Sequence, residues 1–205
     1  MEEIGFIITV SFMLVGPIKI IPLFAGVTQG ADVQFKRTVA IHSVVIAAAL
    51  CAVLVLAGGY VLGRYRISID ALRISGGLVL VIAALRVIFQ KPQPSASKSG
   101  TPSALQLAAS PVAVPGIVPP AGVAAILIFM MLSPQYPGML QAVTISLTTM
   151  MVLNFLVMYF IDRVMKTPGL GIVLTVLGSV LGLVQLGIAI ELILSALKNL
   201  GMFQA

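Results

Sequence analysis

Long apolar runs alternate with short polar or Pro/Gly-bearing stretches along the chain. The runs cover residues 4–26, 38–62, 71–89, 105–132, 138–161 and 169–197. A helix needs about 20 mostly apolar residues to cross roughly 30 Å of hydrocarbon, and each run meets or approaches that length. Residues 29–37, 63–70, 91–103, 133–137 and 162–168 separate them. The pattern predicts an all-α membrane protein of six transmembrane helices, forming one integral membrane domain over residues 1–205.

Composition agrees: 60% of residues are hydrophobic and 9% charged, against about half and about a quarter in globular domains. The lipid bilayer is therefore the expected partner. The formal charge of +6 does not point to nucleic acid, because the basic residues stand singly at span ends and form no stripe. They work as topology signals. Lys36, Arg37, Arg86, Lys91, Lys98, Arg163 and Lys166 fall on one side, and Arg64, Arg66, Arg73 and Lys198 on the other. The positive-inside rule then predicts a multi-pass protein with the first, third and fifth connections in the cytoplasm and both termini outside. The acidic start MEEIGFIITV lacks the positive flank of a cleavable signal, so the first run is expected to remain as a span.

Three spans per half, 1–90 and 104–205 around a 91–103 linker, would set the halves in opposite orientations as inverted repeats. ISGGLVLVIAALRVIF from Ile74 and SVLGLVQLGIAIELIL from Ser179 share a glycine-punctuated frame in which Arg86 is equivalent to Glu191. The first helix of each half also carries prolines five apart, Pro17 with Pro22 and Pro115 with Pro120. Proline lacks a backbone donor and clashes with the carbonyl four residues back, which predicts broken first and fourth helices. Broken helices at matching places in two halves point to a transporter's substrate site. The alternative is a pair of structural kinks.

These residues carry a family likeness. GPIKIIPLF (16–24), ISGGLVLVIAALRVIFQKP (74–92) and PVAVPGIVPPAGV (111–123) resemble the motifs of the MarC family of bacterial and archaeal inner-membrane proteins, which includes small neutral amino acid transporters. The broken helices place a small-molecule substrate near Gly16, Pro17, Lys19, Pro22, Pro115, Gly116, Pro119, Pro120 and Gly122, and the resemblance implies an inner-membrane protein and amino acids as the substrate class. Gly16, Lys19, Ile20 and Ala121 stand where the family motif has Asn/Asp, Gly, Asn and Gly.

Lys19 is a functional candidate by default, because a lysine inside a span costs at least about 2.5 kcal/mol on insertion scales. Glu191 in the last span is its natural counterpart and completes the set of candidate site residues. Snorkelling of each to the nearer interface is the alternative. His42 is read as a packing residue before a proton relay, and Asn154, Gln185, Ser146, Thr144 and Thr148 as bonds between helices. Gly59 with Gly63, and Gly178 with Gly182, permit close helix approach within the chain or between protomers of a homo-oligomer. Cys51 and the ten methionines suggest neither a disulfide nor a soft-metal site, and no cofactor is expected. With no Walker loop, H-E-x-x-H or nucleophile elbow, the chain does not read as an enzyme. Secondary transport or export of small neutral solutes, probed against a non-transporting scaffold or partner subunit, is the expected function. A reporter active only in the cytoplasm, fused after Ala205, is expected to stay silent; a signal would place that terminus inside.

Overall fold

The computed structural model describes residues 2–89, 103–167 and 169–202. Its helices are α1 (Glu2–Val15), α2 (Pro17–Val27), α3 (Val33–Arg64), α4 (Ile69–Ile88), α5 (Ala104–Leu107), α6 (Pro120–Leu132), α7 (Met139–Tyr159), α8 (Ile161–Met165) and α9 (Leu170–Asn199). An irregular, partly π-helical stretch, Ala108–Ile117, joins α5 to the approach of α6. The expected linker with Lys91 and Lys98, up to residue 102, lies outside the described residues, as does the Arg86 side chain.

Four stretches are long and apolar enough to cross a membrane: Ile7–Val27, Val33–Arg64, Met139–Tyr159 and Val176–Asn199. A fifth arises if Ala104–Ile117 and Pro120–Leu132, bent by 59°, are counted as one. Of the six expected spans, the remaining one corresponds to α4, a 20-residue helix that lies against α9. Polar turns start the helices after the loops: Asp32 accepts the Phe35 N–H at 3.3 Å and Ser68 the Ala71 N–H at 3.1 Å, each satisfying a donor that the first helical turn leaves open.

The interior is a main apolar cluster drawn from α1, α2, α3, α4, the irregular stretch, α6, α7 and α9, with a smaller second cluster of Leu62, Leu72 and Ile128. Large apolar side chains remain exposed along α3 (Val45, Val53, Leu56) and α9 (Val176, Val180, Leu183), as expected of faces turned to lipid. The N-terminal end of α3 meets the C-terminal end of α7: Lys36 Nζ pairs with Asp162 Oδ1 at 2.6 Å, and the Arg37 guanidinium lies 4.5 Å from the Tyr159 ring centre. The two helices therefore run antiparallel. So do α4 and α9, since Asn199 Nδ2 donates to Asp70 Oδ1 (3.0 Å) while Gln185 Nε2 donates to the Leu80 carbonyl (3.4 Å).

Burial repeats along the chain at a fixed spacing. Val39, Ala40, Ser43, Ala47 and Cys51 of α3 are buried, and so are Ala142, Val143, Ser146, Met150 and Asn154 of α7, each 103 positions later. On α4 and α9 the spacing is 105: Gly77, Leu80 and Ala84 are buried, as are Gly182, Gln185 and Ala189. This is the frame that sets Ile74 against Ser179 in the sequence.

Gly77 is what lets α4 and α9 close. A Cβ there would lie 2.9 Å from the Ala189 carbonyl oxygen and 2.6 Å from Ile193 Cγ1, too near for a backbone atom to yield cheaply. Gly76, on the neighbouring face, meets Ala124 and Ile128 of α6. Gly77→Ala is expected to destabilise the protein by about 1–3 kcal/mol, whereas Gly63→Ala, with nothing within 4 Å, holds or gains stability through helix propensity. Thermal unfolding in detergent ranks the two, and the reverse order would contradict this packing.

Candidate functional site: a junction of two broken helices

The breaks follow from what proline does to the residue before it, which is pushed out of the helical region into extended backbone. Gly16, before Pro17, has φ −74° and ψ 165°. Ser110 before Pro111 (−147°, 126°), Val114 before Pro115 (−131°, 121°) and Pro119 before Pro120 (−72°, 159°) do the same. The bonds at Ser110–Pro111 and Val114–Pro115 are cis. One extended residue suffices to interrupt the first span, which keeps its course across Ile7–Val27; four prolines bend the fourth by 59°.

The breaks correct two expectations. Pro22 lies inside α2 and is exposed; the helix restarts at Pro17, so Pro22 forfeits only the bond to the Ile18 carbonyl. The matching prolines are Pro17 and Pro120, each at the first turn of a helix whose N-cap residue makes no side-chain cap bond. They are 103 positions apart, the spacing found between α3 and α7, whereas pairing Pro17 with Pro115 would put them out of step.

The two breaks meet in space. A Cβ at Gly116 would lie 2.7 Å from Leu23 and 2.9 Å from Ile20 of α2, and one at Gly122 would lie 3.2 Å from Val15, the last residue of α1. Gly16 is held just as closely: its N–H donates to the Phe12 carbonyl at 2.9 Å, and a Cβ would meet that oxygen at 2.0 Å. Beside the junction opens a small apolar cleft of about 50 Å³ walled by Val10, Met13 and Leu14 of α1, Leu80 of α4, Ala125, Ile128 and Phe129 of α6, and Gln185, Ile188 and Leu192 of α9. Gln185 is its polar member. Gln185 Oε1 accepts the Lys19 ammonium at 2.6 Å, and the amide spans onward to Leu80.

The structure does not bring together the Lys19–Glu191 pair that the sequence left open beside snorkelling. Lys19 binds Gln185, six residues before Glu191 on α9, a rise of about 9 Å, and Glu191 is exposed. Among the described residues no carboxylate lies within 4.0 Å of the Lys19 ammonium. Gly16, Pro17, Lys19, Gly116, Pro119 and Gly122 are buried or half-buried at the junction, while Pro115 and Pro120 are exposed on its rim. Sequence reading assigned Gln185 and Asn154 to bonds between helices, and both prove central to the junction. Fully buried Asn154 on α7 donates from Nδ2 to the Val15 carbonyl at 2.7 Å, capping α1 at its break. The signal was present as an amide in mid-span, but only the fold shows which carbonyl it serves. His42, by contrast, is exposed with Nδ1 2.8 Å from the Thr38 carbonyl of its own helix. Gly178 and Gly182 are buried within the chain and Gly59 and Gly63 exposed. Among the described residues no three His, Cys, Asp or Glu side chains gather as metal ligands.

A hydrogen bond to a charged group is worth about 1.5–3 kcal/mol. Lys19→Met and Gln185→Leu are each expected to lower stability in detergent by about that much, and the double variant by clearly less than their sum. Glu191→Gln combined with Lys19→Met should be additive. Additive losses for Lys19 with Gln185 would remove the coupling claimed here.

Comparison with known proteins follows the same residues. Residues 1–201 match the family described as MarC family integral membrane protein. The chain is similar to the UPF0056 inner membrane protein YhgN of Escherichia coli K12, 27% identical over 147 residues and 72% of each chain. It is also similar to the UPF0056 membrane protein MJ1677 of Methanocaldococcus jannaschii, 24% identical over 192 residues and 92% of each. A UPF0056 membrane protein of Buchnera aphidicola subsp. Baizongia pistaciae is 23% identical over 200 residues, covering 97% of this chain and 98% of its own. No solved structure matches. With interrupted helices, apolar stretches of membrane-spanning length and a match running nearly end to end, the chain belongs to the MarC family of integral membrane proteins.

Proposed function

We propose that this protein is a secondary transporter or exporter of small neutral solutes, amino acids foremost, crossing the membrane six times as two inverted three-helix halves with both termini outside. The observation that carries the reading is the apolar cleft where the broken helices of the two halves meet. Small-molecule sites are concave, mostly apolar and supplied with a few placed polar groups, and transporter sites lie between repeats at interrupted helices. The cleft draws walls from both halves, and Gln185, which lines it, is bonded to Lys19.

Helix placement supports the inverted halves. Helices related by the 103- and 105-residue spacings run antiparallel, as inversion requires, and Leu80 touches Gln185, its own equivalent in that frame. Equivalent residues meet only near a two-fold axis. Neighbour relations are also preserved on exchanging the halves: α1 lies on α7 as the Ala108–Ile117 stretch lies on α3, and α2 lies on α7 as α6 lies on α3. The solute's carboxylate would be received by the N-terminal end of α2 and by Lys19, since helix N-termini favour negative charge. Rocking of one half against the other would expose the cleft to each side in turn.

A non-transporting scaffold or partner subunit is the rival reading, favoured by the scarcity of polar groups lining the cleft. Purified protein in liposomes, offered a panel of neutral amino acids with and without a proton gradient, decides between them. Uptake of at least one small neutral amino acid, cut by roughly tenfold or more in Lys19→Met, is expected. Correctly folded protein that moves none of them would refute transport.

A further inference from the structure

Asn154 has an incomplete set of hydrogen bonds at the break of the first span. Its Nδ2 donates to two carbonyls, Val15 at 2.7 Å and Met150 at 2.8 Å, which fixes the orientation of the carboxamide. Its Oδ1 is fully buried and receives no donor from the described residues. Oxygen and nitrogen of one carboxamide lie about 2.3 Å apart by covalent geometry, so Oδ1 is held within about 5 Å of the Val15 oxygen. Lipid tails offer nothing to satisfy it.

Its surroundings carry one sign. Val15 ends α1, and the C-terminal end of a helix behaves as roughly half a negative charge. The Met13 carbonyl, whose donor in an unbroken helix would be residue 17, faces a proline with no N–H to give. Lys19, the nearby cation, has its ammonium on Gln185 of α9, whereas Asn154 belongs to α7. A buried carboxamide oxygen without a donor, beside the negative end of a helix in an apolar interior, suits a ligand that brings positive charge.

We propose that Asn154 Oδ1 and the carbonyl end of α1 form a cation subsite, which takes either the ammonium group of a small amine or amino acid or a dehydrated alkali ion. The first span then presents opposite charge preferences on the two sides of Gly16: positive groups are received at the end of α1 and negative groups at the start of α2. This site goes beyond the transport reading, because occupancy is measured without any solute crossing a membrane.

The test is thermal unfolding of the full chain in detergent at constant ionic strength, with choline chloride replaced stepwise by sodium, lithium, potassium or methylammonium chloride. At least one of these cations is expected to raise the midpoint saturably, by roughly 3–6 °C near tenfold excess over half-saturation. An alkali response without methylammonium identifies an ion site, and the converse an amine site; either supports the subsite. The response should vanish in Asn154→Leu and persist in Lys19→Met. If Asn154→Leu does not fold, Asn154→Asp decides, because a full carboxylate charge should lower the half-saturating concentration about tenfold. Equal midpoints in all these salts and choline, or a response that Asn154→Asp leaves unchanged, would overturn the assignment. Absence of uptake in liposomes leaves this measurement unaffected, so the two proposals fail separately.

Discussion

A proline within a membrane leaves a carbonyl without its donor, and hydrocarbon cannot supply one. The arrangement of this chain depends on how those deficits are met. At the first break a neighbouring helix meets one of them: Asn154 on α7 reaches across to the last carbonyl of α1. At the fourth span the chain folds back on itself, the Val118 N–H donating to the Ala113 carbonyl at 2.9 Å. Both repairs need close approach, which explains why Gly16, Gly116 and Gly122 admit almost nothing larger at the junction. Broken backbone, small residues and a buried amide thus answer one constraint.

The same constraint brings different consequences on the two sides. One extended residue leaves the first span a single stretch, Ile7–Val27, with opposed helix ends at Gly16. The four prolines of the second stretch spend ten residues of backbone before α6 begins, and a bend of 59° results. The two breaks are therefore built differently, although α3 with α7, and α4 with α9, repeat their buried positions in step.

Much of this was written in the residue order. Apolar run length alone places 138–161 on α7 and 169–197 on α9 to within a few residues, because lipid imposes a length requirement that local propensity does not blur. The frame that sets Ile74 against Ser179 also foretells that Leu80 and Gln185 are equivalent. Proline spacing was less informative. Five residues between prolines recur by composition, whereas the position that matters is the one opening a helix, and only the extended neighbours of Pro17 and Pro120 reveal it. Charge left the partner of Lys19 open for a related reason: Lys19 and Glu191 attract attention as opposite signs, but in the folded bundle the lysine meets a buried amide. Which partner a long side chain reaches depends on helix register, and a sequence does not state register between distant spans.

The contact between Leu80 and Gln185 has a thermodynamic corollary. If the halves are related by a two-fold axis, a residue beside that axis is the point where exchange of the halves should change nothing, yet here one equivalent is an aliphatic chain and the other an amide that grips Lys19. The partner of Lys19 under the 103-residue spacing is Gly122, which has no side chain with which to return the grip. Two conformers produced by swapping the roles of the halves would consequently differ in energy, and the molecule would rest facing one side of the bilayer until a bound solute or an ionic gradient offsets the difference.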